Sequence, residues 1–337
     1  MKIVENTKYL EMKALILSDF NTPYKLQEIE QPIAGSGEVL VKIMASGINP
    51  LDLKIQSGQA AHAKAVLPAI LGIDMAGVVE AVDEGVTGFK IGDEVYGMTG
   101  GIAGVQGSLA QYAAVDADLL ALKPSNLTMK EAAALPLIFI TAWEGLVDRA
   151  KVNKGKTVLI HGGAGGVGHV AVQIAKAFGA KVFATVNPKD FDLIKSYGAT
   201  PIDYNIPVEE YVQLYTQGEG FDIILDTVGG AVLDASFKAV KQYTGHVASI
   251  LGWGNHALAP LSFRGATYSG VFTLYPLISG KNRKQHGDIL RKATEMVEKK
   301  QLFPIVDQGN YTLDTIEAAY DAITNGKTKG KVVVAIK

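Results

Sequence analysis

The pattern of apolar and polar positions changes character near residue 125. Before that point, short β-rich runs alternate with Gly and Pro, and helical periodicity is nearly absent. The runs are Lys13–Leu17, Glu38–Ser46, Gly77–Val82, Glu94–Gly97 and Leu109–Val115. This pattern predicts a β-rich first domain of barrel-like form.

Helices are predicted to begin just after this first region. Thr128 and Glu131 have the spacing of a capping box, in which each side chain satisfies a backbone N–H of the first helical turn. The apolar stretch Ala132–Trp143 then predicts a buried helix. It is well short of the ~18 to 20 apolar residues that a membrane span requires, so no membrane partner is predicted.

From Lys156 onward, strands alternate with helices. The predicted strands are Val158–Ile160, Lys181–Val186, Pro201–Tyr204, Phe221–Asp226 and His246–Leu251. The predicted helices are Gly165–Phe178, Lys189–Tyr197, Val208–Thr216 and Ala231–Lys241. Such alternation predicts right-handed βαβ units and a doubly wound parallel sheet with helices on both faces, an α/β fold.

The alternation ends near residue 275, where two helices, Lys284–Lys300 and Asp314–Thr324, precede a last strand, Lys331–Ile336. A final strand of this kind can return to pair with the first domain. We therefore predict one domain from residues 1–131 and 276–337, and a second from residues 132–275.

Charge and cysteine content narrow the chemistry. The 32 Lys and Arg against 34 Asp and Glu give a net charge of −2, so no nucleic acid or anionic membrane partner is predicted. With no cysteine, the chain has no disulfide, no thiolate nucleophile and no thiolate ligand for zinc. A small-molecule substrate is expected instead.

The N-terminal residues show no targeting signal. Residues 1–13 lack the apolar core of a signal peptide or anchor, so a cytoplasmic protein is expected. Residues 1–11 are either a native extension or an alternative start ahead of the first strand.

A glycine-rich turn is the most specific motif. Gly163, Gly165 and Gly168 satisfy G-x-G-x-x-G directly after an apolar strand and at the start of a helix. One glycine permits the tight turn, one lets the backbone approach a pyrophosphate, and one lets helix and strand pack closely. This context predicts a dinucleotide site; a structural turn or another nucleotide-type ligand is the alternative.

The end of the next strand indicates which dinucleotide, NAD(H) or NADP(H), the site binds. An NAD site usually has an acid about 20 residues after the glycines to bind the ribose 2′-hydroxyl, whereas this chain has Asn187 there, followed by Lys189. Lys189 could contact a 2′-phosphate, or it could be a solvated cation at a helix start. We therefore predict NADP(H).

Several ordered segments together resemble a known family, the zinc-independent quinone oxidoreductases of the medium-chain dehydrogenase/reductase superfamily. The segments are Gly47-Ile48-Asn49-Pro50-Leu51-Asp52, Leu71–Val79, Gly92–Gly97, Pro136 with Thr141-Ala142-Trp143, the glycine-rich turn, and Gly330–Val334. The resemblance covers nearly the whole chain from Met12. It implies a GroES-like β-rich barrel domain, a Rossmann domain, bound NADPH and a homodimer.

The resemblance also implies roles for single residues. Asn49 and Thr141 match nicotinamide-side contacts, and Gly165, Gly166 and Val167 match the pyrophosphate cradle between Gly163 and Gly168. Further cofactor contacts are implied at Asn187, Lys189, Tyr204, Thr227, Val228, Leu251, Gly252, and Phe272 or Leu274. Asn49 and Lys54 are the candidate catalytic residues.

Each of these residues has a plainer alternative role. Asn49 could anchor the turn before Pro50, Thr141 could bond a carbonyl of the preceding turn, and Tyr204 could serve in packing. Lys54 stands near the positions where some relatives have a Tyr and an Arg, and it either orients a carbonyl oxygen or is solvated. Asp52 and Asp74 are expected to cap backbone groups and not to bind a metal.

The predicted reaction is hydride transfer from NADPH to a quinone or an α,β-unsaturated carbonyl compound. Without thiolate or spaced His ligands no zinc is predicted, and without a Lewis acid alcohol oxidation is the harder reaction. Three alternatives stay open: a non-catalytic NADPH-binding protein, a metal-free alcohol or aldehyde oxidoreductase, and an interaction protein that uses the fold as a scaffold.

Overall fold

The computed structural model describes residues 10–337. The predictions about the N-terminal extension therefore fall largely outside the described residues. Within residues 10–337, no helix combines the length and the apolar character that crossing a bilayer requires.

The elements follow one another along the chain in this order. The strands are β1 (Glu11–Leu17), β2 (Lys25–Glu30), β3 (Glu38–Gly47), β4 (Ala69–Ile70), β5 (Asp74–Val82), β6 (Glu94–Met98), β7 (Tyr112–Asp116), β8 (Leu120–Leu122), β9 (Thr157–His161), β10 (Lys181–Val186), β11 (Thr200–Asp203), β12 (Ile223–Asp226), β13 (His246–Ser249), β14 (Thr267–Gly270), β15 (Tyr311–Thr312) and β16 (Val333–Ala335). The α-helices are α1 (Pro50–Gln56), α2 (Met129–Ala133), α3 (Pro136–Trp143), α4 (Gly166–Ala177), α5 (Phe191–Ser196), α6 (Val208–Thr216), α7 (Ala231–Ala239), α8 (Ala259–Phe263), α9 (Tyr275–Ser279), α10 (Arg283–Glu298) and α11 (Ile316–Thr324).

The chain divides into two compact units. Unit 1 comprises the residues up to Leu137 together with Leu274–Glu298 and Pro304–Lys337, and unit 2 comprises Ile138–Thr273 with Lys299–Phe303. Both ends of the chain therefore contribute to unit 1.

Unit 1 is β-rich. Its larger sheet has the order β15-β16-β3-β5-β6-β8, with β7 also paired to β3, and a three-stranded sheet has the order β2-β1-β4. The last strand, β16, pairs antiparallel with β3, so the prediction that the C-terminal strand returns to the first domain is confirmed. In β1 the buried Met12 and Ala14 alternate with the exposed Glu11 and Lys13, so this strand directs apolar side chains into the interior of unit 1.

Unit 2 contains a six-stranded sheet of order β11-β10-β9-β12-β13-β14, in which every pairing is parallel. Numbered from β9, this is the 3-2-1-4-5-6 order of a Rossmann sheet. Aromatic side chains such as Phe183, Phe221 and Phe237 fill its core. The predicted fold class, a Rossmann unit plus a GroES-like β-rich unit, is confirmed.

Local predictions failed where side-chain pattern carries little signal. Strand β2 was not predicted because its sequence, KLQEIE, is largely exposed and lacks an apolar face. The short helix α1 was also missed, although Pro50 at its first position is a helix-start signal.

The predicted helix Ala132–Trp143 is wrong in its continuity. The chain forms α2, breaks, and starts α3 at Pro136, which lacks the backbone N–H that an uninterrupted helix would need. After Trp143 the helix widens into a π-helix over Glu144–Arg149. The capping box of Thr128 and Glu131 at the start of α2 is confirmed, with Thr128 N donating to Glu131 Oε2 at 2.8 Å.

Candidate functional site

The glycine-rich turn of unit 2 lies between the end of β9 and the start of α4. Strand β9 is central in the sheet, with β10 on one side and β12 on the other. The chain runs from β9 to β10 in one direction and reaches β12 in the other, so the turn stands at the topological switch point. Ligands of open parallel sheets bind at this edge, outside the carboxyl ends of the strands.

The glycines of this turn serve two different purposes. A Cβ at Gly168 would lie 2.0 Å from the Gly162 carbonyl oxygen, and one at Gly163 would lie 2.6 Å from the Ala184 Cβ, so both positions are closed by the protein itself. A Cβ at Gly165 would come no nearer than 3.2 Å to the Gly162 carbonyl oxygen, and one at Gly166 no nearer than 3.6 Å to Ile138. Gly165 and Gly166 are exposed. A distance of 3.2 Å to a backbone carbonyl oxygen is tight for a Cβ, whereas 3.6 Å is an ordinary contact. Of these two exposed glycines, it is therefore Gly166 over which the protein's own packing leaves space.

Helix α4 begins at this space. Gly165 is its N-cap and has no side chain to satisfy the first backbone N–H groups. The twelve-residue helix directs these N–H groups and the positive end of its dipole toward the open side of the turn. An anion is the ligand that such an end favours.

The loop after β12 forms one wall of the turn. Thr227 Oγ1 donates to the His161 carbonyl oxygen at 2.6 Å, and a Cβ at Gly162 would meet Thr227 and Val228 at 2.8 and 3.2 Å. The buried Asp226 carboxylate holds this loop by accepting the N–H groups of Val228 and Gly229 at 3.0 and 2.9 Å.

The loop after β13 adjoins this wall. A Cβ at Gly229 would lie 2.6 Å from the Leu251 carbonyl oxygen, and Ser249 Oγ donates to Asp226 at 2.7 Å. The predicted contacts at Thr227, Val228, Leu251 and the following Gly252 therefore gather at the same sheet edge as the turn.

His161 lies buried behind the turn. Its Nδ1 is 3.0 Å from Thr185 Oγ1, and the same hydroxyl accepts the Gly162 N–H at 3.3 Å. Its Nε2 is buried and has no hydrogen-bond partner among the described residues. Burial lowers the pKa of His161 to about 4, against the opposing effect of the Asp226 carboxylate, so the imidazole is neutral at pH 7.

The predicted 2′-phosphate residues follow the neighbouring strands. Asn187 ends β10 and accepts the Lys189 N–H with its side chain at 3.2 Å, and this caps a short 3₁₀ turn. Tyr204, just after β11, donates its backbone N–H to the Val186 carbonyl at 3.2 Å and is 57% exposed. Lys189 is exposed as well. The structure thus brings these three residues to adjacent strand ends.

Thr141 lies on α3, one turn after Ile138, the residue that adjoins Gly166. Its hydroxyl is buried and 3.1 Å from that of Thr273, which in turn donates to Glu144 at 3.2 Å. The adjacent Phe272 is 40% exposed. The other predicted nicotinamide residue of this segment, Leu274, is buried in unit 1.

In unit 1, strand register assembles a second polar group. Gly47 at the end of β3 pairs with Val333 of β16 on one side and with Asp74 of β5 on the other. Ile48 N then donates to the Val332 carbonyl at 2.9 Å, so the next residues in antiparallel register are Asn49 and Lys331. Three strand ends thus bring Asn49, Asp74 and Lys331 together.

These side chains are bonded to one another. Asn49 Nδ2 donates to Asp74 Oδ2 at 3.0 Å, and the Lys331 ammonium contacts both Asn49 Oδ1 and Asp74 Oδ2, the latter at 3.3 Å. The second Asp74 oxygen accepts the Leu137 N–H at 2.8 Å. Each of Asn49, Asp74 and Lys331 is at most 7% exposed. Burial raises the pKa of Asp74, while the Lys331 charge and these hydrogen bonds oppose the increase.

Asp52 completes the group. Its Oδ2 accepts the Asn49 backbone N–H at 2.8 Å, and its Oδ1 is buried without a partner among the described residues. Burial raises the pKa of Asp52 to about 7, although the Asn49 bond and the Lys331 charge act to lower it. Both aspartates thus accept backbone N–H groups, as the sequence led us to expect.

Lys54 lies on the other side of α1. It is exposed, whereas Asp52 and Ile55 of the same helix are buried. The pKa of the nearby His62 is lowered, chiefly by partial burial and further by the Lys54 charge. Lys54 therefore does not belong to the buried polar group around Asn49.

Two loops of unit 1 line one cavity. The loops 59–68 and 98–107 contribute, among others, Ala65, Val66, Ile102 and Val105 to a cavity of about 410 Å³. The lining is mainly apolar. No group of three or more potential metal-ligating side chains occurs in the described part of the chain.

Sequence reasoning assigned no role to several residues of these two sites. Lys331 was seen only as part of a strand motif, yet among the described residues it is the cation in contact with Asn49 and Asp74. Its signal was a lysine directly before five apolar residues at the end of the chain, Val332–Ile336. Thr185 and Asp226 gave no signal, because nothing in their local sequence shows which turn they face.

Family models match both parts of the chain. Residues 35–125 match the alcohol dehydrogenase GroES-like domain, and residues 197–334 match a model described as zinc-binding dehydrogenase. With the Rossmann strand order and the glycine-rich turn, these matches define an alcohol dehydrogenase-like protein of two-unit architecture.

Individual relatives are similar over nearly the whole length. The chain is 37% identical to 2-methylene-furan-3-one reductase of Solanum lycopersicum over 96% of this chain and 79% of that protein. It is 35% identical, with the same coverage, to the chloroplastic NADPH-dependent alkenal/one oxidoreductase of Arabidopsis thaliana. A crystal structure of an alcohol dehydrogenase superfamily protein from Novosphingobium aromaticivorans is 52% identical, with a TM-score of 0.95 over 97% of this chain and all of that one.

The chain belongs to the quinone oxidoreductase family of the medium-chain dehydrogenase/reductase superfamily. The predicted resemblance is thereby confirmed. The protein is an oxidoreductase.

Proposed function

We propose that the protein is an NADPH-dependent reductase that transfers hydride to the electrophilic carbon of an α,β-unsaturated carbonyl compound or a quinone, without zinc. One observation carries the proposal: the space over Gly166 and the exposed N-terminus of α4, at the switch point of a parallel sheet. The names of the tomato and Arabidopsis relatives support the type of acceptor.

The residues present fit a dinucleotide. At Gly166 a Cβ would find room, so the protein itself gives no steric reason for glycine there, whereas backbone approach to a pyrophosphate does. Gly163 and Gly168 close the turn from behind. Thr227, Val228 and Leu251 would line the cofactor at the same edge, with Thr141 and Phe272 on the nicotinamide side.

The preference for NADPH rests on the end of β10. Asn187 stands where NAD sites commonly have a carboxylate, and it uses its side chain to cap the turn that carries Lys189. The exposed Lys189 ammonium and Tyr204 are the proposed contacts of the 2′-phosphate. Because Asn187 is uncharged, position 187 places no carboxylate against this phosphate.

Bound NADPH supplies the hydride. The contribution of the chain is to hold cofactor and acceptor in a fixed geometry and to stabilise the negative charge that develops on the acceptor oxygen. Asn49 is the proposed nicotinamide-side contact and Lys54 the proposed donor to the acceptor oxygen. The chain supplies no thiolate ligand for a zinc ion, and the proposed reaction requires none.

Two measurements test this proposal. Fluorescence titration is expected to show NADPH binding at least about tenfold tighter than NADH, because one charge-assisted phosphate contact is worth more than ~1.4 kcal/mol. In the variant Asn187→Asp/Lys189→Ala that ratio is expected to fall by at least about tenfold, and Lys238→Ala, an exposed lysine on the last turn of α7, is the matched control. A strong NADH preference of the wild-type protein would contradict the assignment.

The acceptor is tested by NADPH consumption with 2-alkenals, cyclic enones and quinones, and with metal analysis of the same sample. Turnover of at least one of these classes by zinc-free protein is expected. Stoichiometric zinc, or no turnover of any class, contradicts the proposal. The homodimer implied by the family and the cytoplasmic location expected from the N-terminal residues stay predictions, for which sedimentation velocity and cell fractionation are the tests.

A further inference from the structure

The buried group in unit 1 determines how the Asn49 carboxamide is oriented. An ammonium only donates hydrogen bonds, and a carboxylate only accepts them. Lys331 therefore faces Asn49 Oδ1, and Asp74 faces Asn49 Nδ2 at 3.0 Å. The reversed amide would place its NH₂ against the ammonium and its oxygen against the carboxylate, so only one of the two orientations is compatible with both neighbours.

Each member of the group is fixed by backbone as well. Lys331 and Asn49 lie on hydrogen-bonded strand ends, and the Asp74 Oδ1 atom accepts the Leu137 N–H at 2.8 Å. The Asn49 backbone N–H is held by Asp52 at 2.8 Å. The carboxamide thus has little freedom either to rotate or to shift.

The carboxamide keeps hydrogen-bonding capacity beyond these two contacts. The second Nδ2 hydrogen has only a long contact of 3.5 Å to the Gly47 carbonyl, and Oδ1 has a second lone pair. What the amide offers to a ligand, a donor on one side or an acceptor on the other, therefore depends on which way it is turned.

We infer that Lys331 and Asp74 act together as positioning residues for the reduction, by fixing the orientation of the Asn49 carboxamide. This inference rests on the proposed function, in which Asn49 contacts the nicotinamide side of the site. A buried carboxylate and a buried ammonium balance each other without Asn49. The further contact of the Lys331 ammonium with Asn49 Oδ1, opposite the contact of Asp74 with Nδ2, is what ties both charges to the carboxamide. Both contacts are explained if Lys331 and Asp74 serve to hold the Asn49 carboxamide in one of its two orientations.

A charge-balanced double variant separates this role from simple neutralisation. Lys331→Met/Asp74→Asn removes one positive and one negative charge and leaves the net charge of the buried group unchanged. At position 74 the amide oxygen stays with the Leu137 N–H, so its NH₂ faces Asn49, and the Asn49 carboxamide is expected to reverse. We expect the double variant to keep the fold but to lose the wild-type orientation of the Asn49 carboxamide.

Single-turnover hydride transfer from NADPH is the decisive measurement. In the double variant the rate is expected to fall at least about tenfold, since small errors in the placement of reacting groups have effects of this size. The NADPH dissociation constant is expected to stay within about threefold of the wild-type value, because the phosphate contacts proposed above lie in unit 2. Lys331→Arg, which keeps the charge and the donors, is expected to retain most of the rate. Lys329→Met, an exposed lysine two residues away, is the matched control.

A folded double variant with wild-type hydride-transfer rate would overturn the inference and leave charge balance as the only role of the pair. If the double variant does not fold, Lys331→Gln decides, because its neutral NH₂ can still donate to Asn49 Oδ1. A rate within about threefold of wild type per folded molecule is then expected, and a loss greater than tenfold overturns the inference.

A second readout distinguishes failure of this inference from failure of the proposed function. If the wild-type protein reduces no acceptor, the proposed function fails, but the Asn49 Nδ2 signals in a spectrum of asparagine-labelled protein, assigned with Asn49→Ala, still report the orientation. These signals are expected to keep their position in Lys331→Arg and to move in the double variant. Unchanged signals in the double variant would overturn the inference independently of activity.

Discussion

The two polar sites of this protein are built in opposite ways. Around Asn49 in unit 1, the buried side chains of Asn49, Asp74 and Lys331 form hydrogen bonds and an ion pair with one another. Around Gly166 in unit 2, the exposed backbone forms the site, and the glycines have no side chain that would fill the space beside it. The first site depends on the pairing of buried opposite charges, whereas the second depends on the absence of a Cβ atom at its glycines. A mutation that removes one charge of the buried group should therefore reduce stability, whereas a mutation at the open position Gly166 should reduce cofactor binding.

The largest effect is expected from Asp74→Ala. The substitution leaves the Lys331 ammonium buried without a counter-ion and removes the acceptor of the Leu137 and Asn49 donors. Breaking a buried ion pair from one side costs about 3–5 kcal/mol, so the urea midpoint should fall sharply. Asp19→Ala, an exposed aspartate of unit 1, serves as the control. Equal stability of the two variants would mean that the buried group is not a stabilising unit.

The next largest effect concerns two glycines of one turn. In Gly168→Ala the new Cβ would lie 2.0 Å from the Gly162 carbonyl oxygen, so a stability loss of about 2–4 kcal/mol and loss of NADPH binding are expected. In Gly166→Ala the nearest atom is 3.6 Å away, and alanine in a first helical turn is expected to raise stability by up to ~1 kcal/mol.

NADPH affinity of Gly166→Ala should nevertheless fall at least about tenfold, because the methyl group occupies the space that a pyrophosphate needs. Thermal unfolding and fluorescence titration of both variants test the contrast. If Gly166→Ala bound NADPH like the wild-type protein, the open space would not be the cofactor cradle.

The smallest effect is a pair of opposing pH dependences, one in each unit. The pKa of Asp52 is raised from an ordinary 3.8 to about 7, so between about pH 4 and 7 the unfolded chain has lost a proton that the folded chain keeps. Asp52 therefore lowers the free energy of unfolding as the pH rises through this range. The pKa of His161 is lowered from 6.5 to about 4, so His161 lowers the free energy of unfolding as the pH falls from about 6.5 to 4.

These two contributions, each on the order of 1–3 kcal/mol, partly cancel in the wild-type protein. Urea unfolding at several pH values is expected to show opposite slopes once one group is removed. Stability of Asp52→Asn should fall more steeply toward acid than that of the wild-type protein, and stability of His161→Asn should fall more steeply toward neutral pH. Parallel curves for the three proteins would refute the assignment of either pKa.

The comparison of prediction and structure follows the same division. The glycine-rich turn was predictable because its information is local: a strand, the glycines and the start of a helix follow one another in eleven residues. Five of the six strands of unit 2 were predictable for the same reason, since their apolar runs are bounded by turns, whereas β14 was missed because none of its residues is fully buried. The polar strand β2 and the short helix α1 were missed because neither has a sustained apolar period.

The buried group of unit 1 was only partly predictable. The Asn49-Pro50-Leu51-Asp52 segment pointed to Asn49, and the expected cap at Asp52 is present. Its partner Lys331 lies 282 residues away in the sequence. Only the pairing of β3 with β16 and β5 determines that Lys331 and Asp74 meet at the end of the same strand.

The composition alone shows that the chain has no cysteine. The alternation of strands and helices and the spacing of the glycines can be read from local pattern, because turns and caps depend on neighbouring residues. These features by themselves determined the fold class, the prediction of a dinucleotide site and the exclusion of a thiolate ligand for zinc. The tertiary structure decided which glycines close the turn and which leave it open, and which charge faces Asn49. Both depend on atoms that strand register brings together from distant parts of the chain.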